Sequence, residues 1–288
     1  MKLMKASLAP EDLSTIRYPV LVSPKLDGIR AIRRPDGLFS QRGLLIPNRH
    51  VQAWARAHVP IGIDGELILK CWTAPYREVS SAIMSRYGEP DFRLAAFDMV
   101  LDGTPFKERI RRVWDVVKNQ QSPALLGVPH TMVNSAEELS ALHEQHCAEG
   151  FEGSMVRDPD GPYKHGKSTP TEGYLWKLKG FHDEEASVYG VEEEMENLND
   201  KDERGKRTSH KDGKFGLGTL GKILCRFVSD GTEFRCGSGF TDAERRIYFD
   251  DPLLIVGKLV TIKHQPPPGG RKPGEKPRFP VFKAVRHD

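Results

Sequence analysis

Lys25, Asp27, Gly28 and Arg30 stand close together in SPKLDGIR, residues 23–30. A lysine amine is a poor nucleophile while protonated. It becomes a good one where desolvation or neighbouring cations lower its pKa. Lys25 ends a strand-like run, and Asp27, two residues on, projects to the same side of an extended backbone. Arg30, Arg42, Lys177 and Lys179 are basic residues that can depress the Lys25 pKa and also hold phosphates. For K-x-D-G alone, a surface lysine before a hairpin turn also explains the pattern.

The company of Lys25 changes the balance. In IDGELIL (63–69) Ile63, Leu67 and Leu69 alternate with Asp64 and Glu66, so Glu66 leaves the face opposite the apolar one. Glu152-Gly153 opens another strand, and WKLK sends Lys177 and Lys179 to one side while Trp176 and Leu178 face a core. Each of these residues singly reads as a solvated face. Together with Lys25 they make a surface able to hold Mg2+, a triphosphate and an attacking amine.

The elements that must position them follow from period and punctuation. VLVSP, GIRAIRR and GLFSQ read as strands separated by Asp27-Gly28 and Asp36-Gly37 turns. A helix starts near Asn48, FRLAAFDMV is a buried strand, and PFKERIRRVWDVV carries Phe106, Ile110, Val113 and Val117 at helical spacing. Ser135 and Glu138 form a capping box before a helix that stops at Gly150. GSMVR and GYLWKLK are further strands. Residues 1–182 therefore read as an α+β domain with an antiparallel sheet. From Glu184 five strand-like pieces and one helix, TDAERRIYF with a Thr241–Glu244 capping box, suit a small barrel of the OB type over 183–288. Between the first two pieces, 195–216 is highly charged, nearly free of apolar residues and expected to be a mobile loop.

Composition sets bounds. The 288 residues suffice for two domains, and a net charge of +3 does not by itself imply nucleic acid. No apolar run reaches membrane-spanning length, and MKLMKASLAPEDL turns polar too soon for a signal peptide. Four scattered cysteines with no C-x-x-C pair point to free thiols in a reducing cytoplasm rather than to zinc. GPYKHGKS (161–168) fits the phosphate-loop pattern G-x-x-x-x-G-K-[ST]. It follows a turn cluster instead of a strand, and Pro170 and Gly173 oppose the helix such a loop must feed, so the match reads as chance.

In order and spacing, six segments resemble the covalent nucleotidyltransferases: ATP-dependent DNA ligases, RNA ligases and mRNA capping enzymes. They are SPKLDGIR, SQRG (40–43), IDGEL (63–67), LAAFDMV with Gly103, EGFEGSMVRDP (149–159) and LWKLK (175–179). The A-F-D and E-G-x-M-V-x-D-P forms are most similar to those of DNA ligases, above all the small two-domain bacteriophage enzymes. The resemblance implies an adenylation domain followed by an OB barrel. It implies that Lys25 attacks the α-phosphate of ATP and carries AMP. Arg30 and Arg42 would contact phosphate or the nick 5′ end, and Glu66 the ribose hydroxyl or the metal. Phe97 would stack on adenine, Ser23 and Leu26 would line the nucleotide site, Glu152 would support Mg2+ (or Mn2+), and Lys177 and Lys179 would hold phosphates. Ser23 departs from the acidic residue often found two before the lysine. RFPVFKAVRHD (278–288) resembles the C-terminal ligase element only loosely, leaving Lys283 and Arg286 without an assigned role.

The implied partner is nicked duplex DNA, bound by a monomer in the cytoplasm (the host's, for a phage protein). Asp27 and the basic loop residues Lys164 and Lys167 are expected at the DNA, together with Arg204, Lys206, Arg207, Lys211 and Lys214 of the charged segment. Residues 258–288 add eight Lys/Arg against two Asp/Glu. Such contacts give affinity without sequence reading, which suits nick recognition. The alternatives are an RNA ligase or capping-type nucleotidyltransferase, and a non-catalytic OB-type DNA-binding protein with a degenerate nucleotidyltransferase domain.

Overall fold

The short apolar runs of the first 179 residues form strands of two different sheets. The protein's computed structural model describes residues 2–120, 122–200, 207–208, 210, 213–265 and 271–286. Two compact units divide the chain, Met1–Lys179 and Gly180–Asp288.

In chain order the first unit contains β1 (Ser7–Leu8), β2 (Val20–Pro24), β3 (Ile29–Arg34), β4 (Gly37–Ser40), α1 (Arg49–His58), β5 (Ile63–Leu69), α2 (Tyr76–Met84), β6 (Phe92–Met99) and α3 (Phe106–Gln120). It continues with β7 (Leu125–Gly127), β8 (Thr131–Val133), α4 (Ala136–Ala148), β9 (Gly153–Arg157) and β10 (Leu175–Lys179). One sheet runs β1-β10-β9-β2-β8 and the other β4-β3-β5-β6-β7. Apart from the parallel β1·β10 and β6·β7 pairs, neighbours are antiparallel.

This topology corrects one expectation. β2 and β3 are not a hairpin: they lie in different sheets, and the segment 25–28 crosses between them. A second correction concerns β5. Ile63 and Leu67 pack into the main core, but Ile68, on the Glu66 side, is buried with Leu26, Ala95 and Val128. β5 is central in its sheet with apolar side chains on both faces, so Asp64 is fully buried and Glu66 half-buried.

The caps largely follow the sequence. Asn48 accepts from the Val51 N–H at the start of α1. Ser135 accepts from the Glu138 N–H, but the Glu138 carboxylate returns to the N–H of Asn134, so only half of the expected box forms. Gly150, with φ +90°, ends the α4 turn as a glycine can.

The second unit has β11 (His182–Asn197), β12 (Lys214–Phe227), β13 (Glu233–Cys236), α5 (Asp242–Asp250), β14 (Leu259–Gln265) and β15 (Arg278–Val285), in sheet order β13-β12-β11-β14-β15. Its core gathers Val188, Ile223, Phe227, Phe234, Val260, Ile262 and Phe282. Thr241 and Glu244 close a full capping box on α5. The ends of the charged segment are not loop. Met195, Glu196 and Asn197 pair with Gly216, Phe215 and Lys214, prolonging the β11–β12 hairpin. Ladder hydrogen bonds need no apolar core, which is why composition did not reveal this stretch as strand.

Candidate active site

Lys25 is held by its backbone before its side chain acts. Its N–H donates to the Gly153 carbonyl (2.8 Å), and its carbonyl accepts from the Glu152 N–H (3.2 Å). The end of β2 is thereby tied to the start of β9. The two glycines flanking this crossing are required by space. A Cβ on Gly28 would lie 2.3 Å from the Leu67 carbonyl oxygen, and one on Gly153, at φ +143°, 2.2 Å from that of Leu178.

The side chains converge. The Lys25 ammonium is ion-paired with Glu152, whose other oxygen lies 2.6 Å from Lys179 Nζ. Glu152 is buried. Burial and the neighbouring Lys179 ammonium push Lys25 down to about 8, against the pull of Glu66 and Asp27. Burial pushes the Glu66 carboxyl up to about 7, opposed by Lys25 and Arg30. Burial, Lys179 and Lys167 also lower the Lys177 ammonium. An amine near neutrality beside cationic groups suits attack on a phosphorus atom.

Lys25 opens on a cavity of about 780 Å³ within the first unit, a size that fits a small-molecule ligand. Ser23, Leu26, Arg30, Arg42, Glu66, Phe97, Lys167 and Lys177 line it with Lys25. Ser23 and Leu26 are buried in its wall, and Arg42 is exposed on the turn after β4. Phe97 is half-buried, packed against the Leu26, Ile68, Ala95 and Val128 cluster and lining the cavity. Lys179 reaches the site through Glu152, and Asp27 acts electrostatically on both Lys25 and Glu66.

The basic loop divides. Lys167 lines the cavity, and its backbone bridges to Lys5, a second cavity residue that sequence reasoning passed over. Lys164 is instead clamped by both oxygens of Glu172, at 2.6 and 2.5 Å. No helix follows Ser168, so GPYKHGKS is no phosphate loop. Of the charged segment, Arg207 donates to the Asn199 carbonyl and Lys214 opens β12. Arg204, Lys206 and Lys211 lie outside the described residues.

Two carboxylates within the motif segments, Asp64 and Asp98, are fully buried. Asp64 accepts the Arg30 fork at 2.9 and 2.6 Å. Asp98 binds Arg109 at 2.8 Å and Arg157 at 2.7 Å, all three nearly solvent-free. The Arg157 guanidinium lies 4.5 Å from the Phe106 ring centroid and lines the cavity. Their signal in sequence was an acid inside each apolar strand, which implies a buried partner without saying which one.

Both units are similar to known proteins. Residues 5–179 match the family model for the ATP dependent DNA ligase domain, and 212–286 that for the DNA ligase OB-like domain. A DNA ligase of Haemophilus influenzae is 26% identical over 275 residues, 91% of this chain and 85% of its own. Among solved structures, a Lig E DNA ligase is similar with 27% identity, TM-score 0.76 and coverage of 99% of this chain and 100% of that one. A Chlorella virus DNA ligase-adenylate is similar with 26% identity, TM-score 0.58 and 99% coverage of both chains. With a family model spanning nearly all of the first unit and a second spanning most of the barrel, the chain belongs to the ATP-dependent DNA ligase family.

Proposed function

We propose that the protein seals 5′-phosphate/3′-hydroxyl nicks in duplex DNA, using ATP and an AMP carried on Lys25. The observation that carries this reading is the Lys25 amine itself: backbone-anchored, lowered to about 8, and opening on a cavity rimmed by Arg30, Arg42, Lys167 and Lys177. The deprotonated amine attacks the α-phosphorus of ATP. An N–P bond forms and the bond to pyrophosphate breaks. A 5′-phosphate oxygen then displaces Lys25 from AMP, giving a DNA-adenylate. Finally the 3′-hydroxyl attacks the 5′-phosphorus, AMP leaves and the hydroxyl proton is released.

Phe97 would stack on adenine, with Ser23 and Leu26 beside it. Glu66 would bind the ribose hydroxyl, and Arg30, Arg42, Lys177 and Lys179 the phosphates. Glu66 and Glu152 would hold Mg2+ (or Mn2+), which supplies charge neutralisation of the triphosphate when bound. Among the described residues no three metal-ligating side chains cluster. Phosphate oxygens and water would supply the remaining ligands of the ion.

Asp27, Lys164, Lys167, Arg207 and Lys214 are the described residues proposed to meet DNA. The Lig E DNA ligases, described as binding DNA with a minimal scaffold, are similar over 99% of this chain. This supports a DNA grip built from these two units, and the protein is proposed to act as a monomer. Four free cysteines fit a reducing cytoplasm, and among the described residues no helix is long and apolar enough to cross a membrane.

The test is nick sealing: end-labelled nicked duplex, ATP and Mg2+, with wild type and Lys25→Ala on one denaturing gel. A longer labelled strand from wild type only is the expected result. A Lys–AMP adduct without sealing would redirect the reading to an RNA ligase or capping-type enzyme. Neither adduct nor sealing would leave a DNA-binding protein.

A further inference from the structure

Tyr163 belongs to the GPYKHGKS segment, whose resemblance to a phosphate loop the structure dismisses. Its ring is buried, only 5% exposed, and its hydroxyl is not idle. It donates to Asp64 Oδ2 at 2.9 Å and accepts from the Met4 N–H at 3.3 Å. Asp64, fully buried, uses the same Oδ2 to accept from Arg30 Nη2 at 2.6 Å and its Oδ1 to accept from Arg30 Nε at 2.9 Å. Arg30 Nη1 donates to the Met4 carbonyl. The four residues close a ring: Tyr163 to Asp64, Asp64 to Arg30, Arg30 to Met4, and Met4 back to Tyr163. Three of the five guanidinium N–H groups are thereby spent on positioning, which leaves two for the cavity that Arg30 lines.

We propose that Tyr163 is a positioning residue for the adenylation reaction: through Asp64 its hydroxyl fixes the Arg30 fork in the orientation that meets the bound nucleotide. The inference rests on the nucleotidyl-transfer reading given above. A carboxylate oxygen shared by two donors holds each of them at a defined angle, whereas one that loses a donor lets the other swing. The role of Tyr163 is therefore to brace an arginine from behind.

Tyr163→Phe removes the hydroxyl and keeps the ring. The rate of Lys25–AMP formation from labelled ATP is measured for wild type, Tyr163→Phe, Arg30→Gln and the double variant, with thermal melting of each. Tyr163→Phe is expected to slow adduct formation about tenfold, equivalent to about 1.4 kcal/mol. On the Arg30→Gln background the same change is expected to cost less than about twofold, because the group it positions is gone. A purely structural role would instead multiply the two losses. A full tenfold loss on top of Arg30→Gln, or a Tyr163→Phe enzyme at the wild-type rate, overturns the proposal. Should Arg30→Gln fail to fold, Arg30→Lys, which keeps the charge and loses the fork, completes the same cycle. Wild type that forms no adduct removes the functional reading and this inference together; active wild type with multiplicative losses removes only the inference.

Discussion

Glu152 and Lys25 are joined twice, through an ion pair between side chains and through a hydrogen bond from the Glu152 N–H to the Lys25 carbonyl. The backbone link fixes where the amine emerges, and the ionic link fixes where it waits. Because the same carboxylate also carries Lys179, Lys25 faces a second ammonium and little water. Its basicity is set by this neighbourhood.

The lowered Lys25 pKa dictates the pH dependence of adenylation. Only the neutral amine attacks, so the single-turnover rate should rise about tenfold per pH unit below about 8 and flatten above it. A profile that keeps climbing to pH 10 would mean an ordinary surface lysine.

Replacing Glu152 by Gln removes the carboxylate and leaves Lys25 and Lys179 facing each other. The Lys25 pKa should fall further, by about one unit or more. The pH dependence of Lys25 labelling by an amine-reactive reagent would report it. A midpoint that stays in place would show that the ion pair does not govern the amine.

Glu66 carries a linkage signature. Burial holds its folded pKa at about 7, above the ordinary 4.5. A raised acid contributes stability that is fully present below about pH 4.5 and lost as pH rises through about 7. Wild type should therefore lose about 1–3 kcal/mol relative to Glu66→Gln across that window. Urea unfolding of the two proteins at pH 5 and pH 7.5 measures it, and parallel curves would count against the burial.

Asp98→Asn would strand Arg109 and Arg157 in an enclosed space. Removing one partner of a buried ionic cluster costs about 3–5 kcal/mol. Denaturant unfolding should show that loss, and a change under about 1 kcal/mol would mean water reaches the cluster.

Shortening 198–213 to a tight turn between Asn197 and Lys214 should weaken binding to nicked DNA and flatten its salt dependence. Lys25 adenylation should be spared. Binding isotherms at two salt concentrations decide, and unchanged affinity would make the charged segment a passive connection.

The sequence by itself determined most of the strands and helices in order, though not β1, α2, β7 or β8, together with the two-domain plan and the six motif segments with Lys25 at their head. These depend on local period, turn chemistry and residue identity, which a chain carries wherever it folds. Even the dismissal of GPYKHGKS as a phosphate loop was local, resting on Pro170 and Gly173. Only the tertiary structure decided what each charge touches. Residues 25–28 cross between two sheets, Ile68 is covered on the polar side of β5, and Lys164 turns to Glu172 while Lys167 turns to the cavity. Asp64 with Tyr163 and Arg30, and Asp98 with Arg109 and Arg157, draw together residues far apart in the chain. A buried charge announces that it needs a partner, but its partner is chosen by three-dimensional packing, and no one-dimensional spacing encodes that choice.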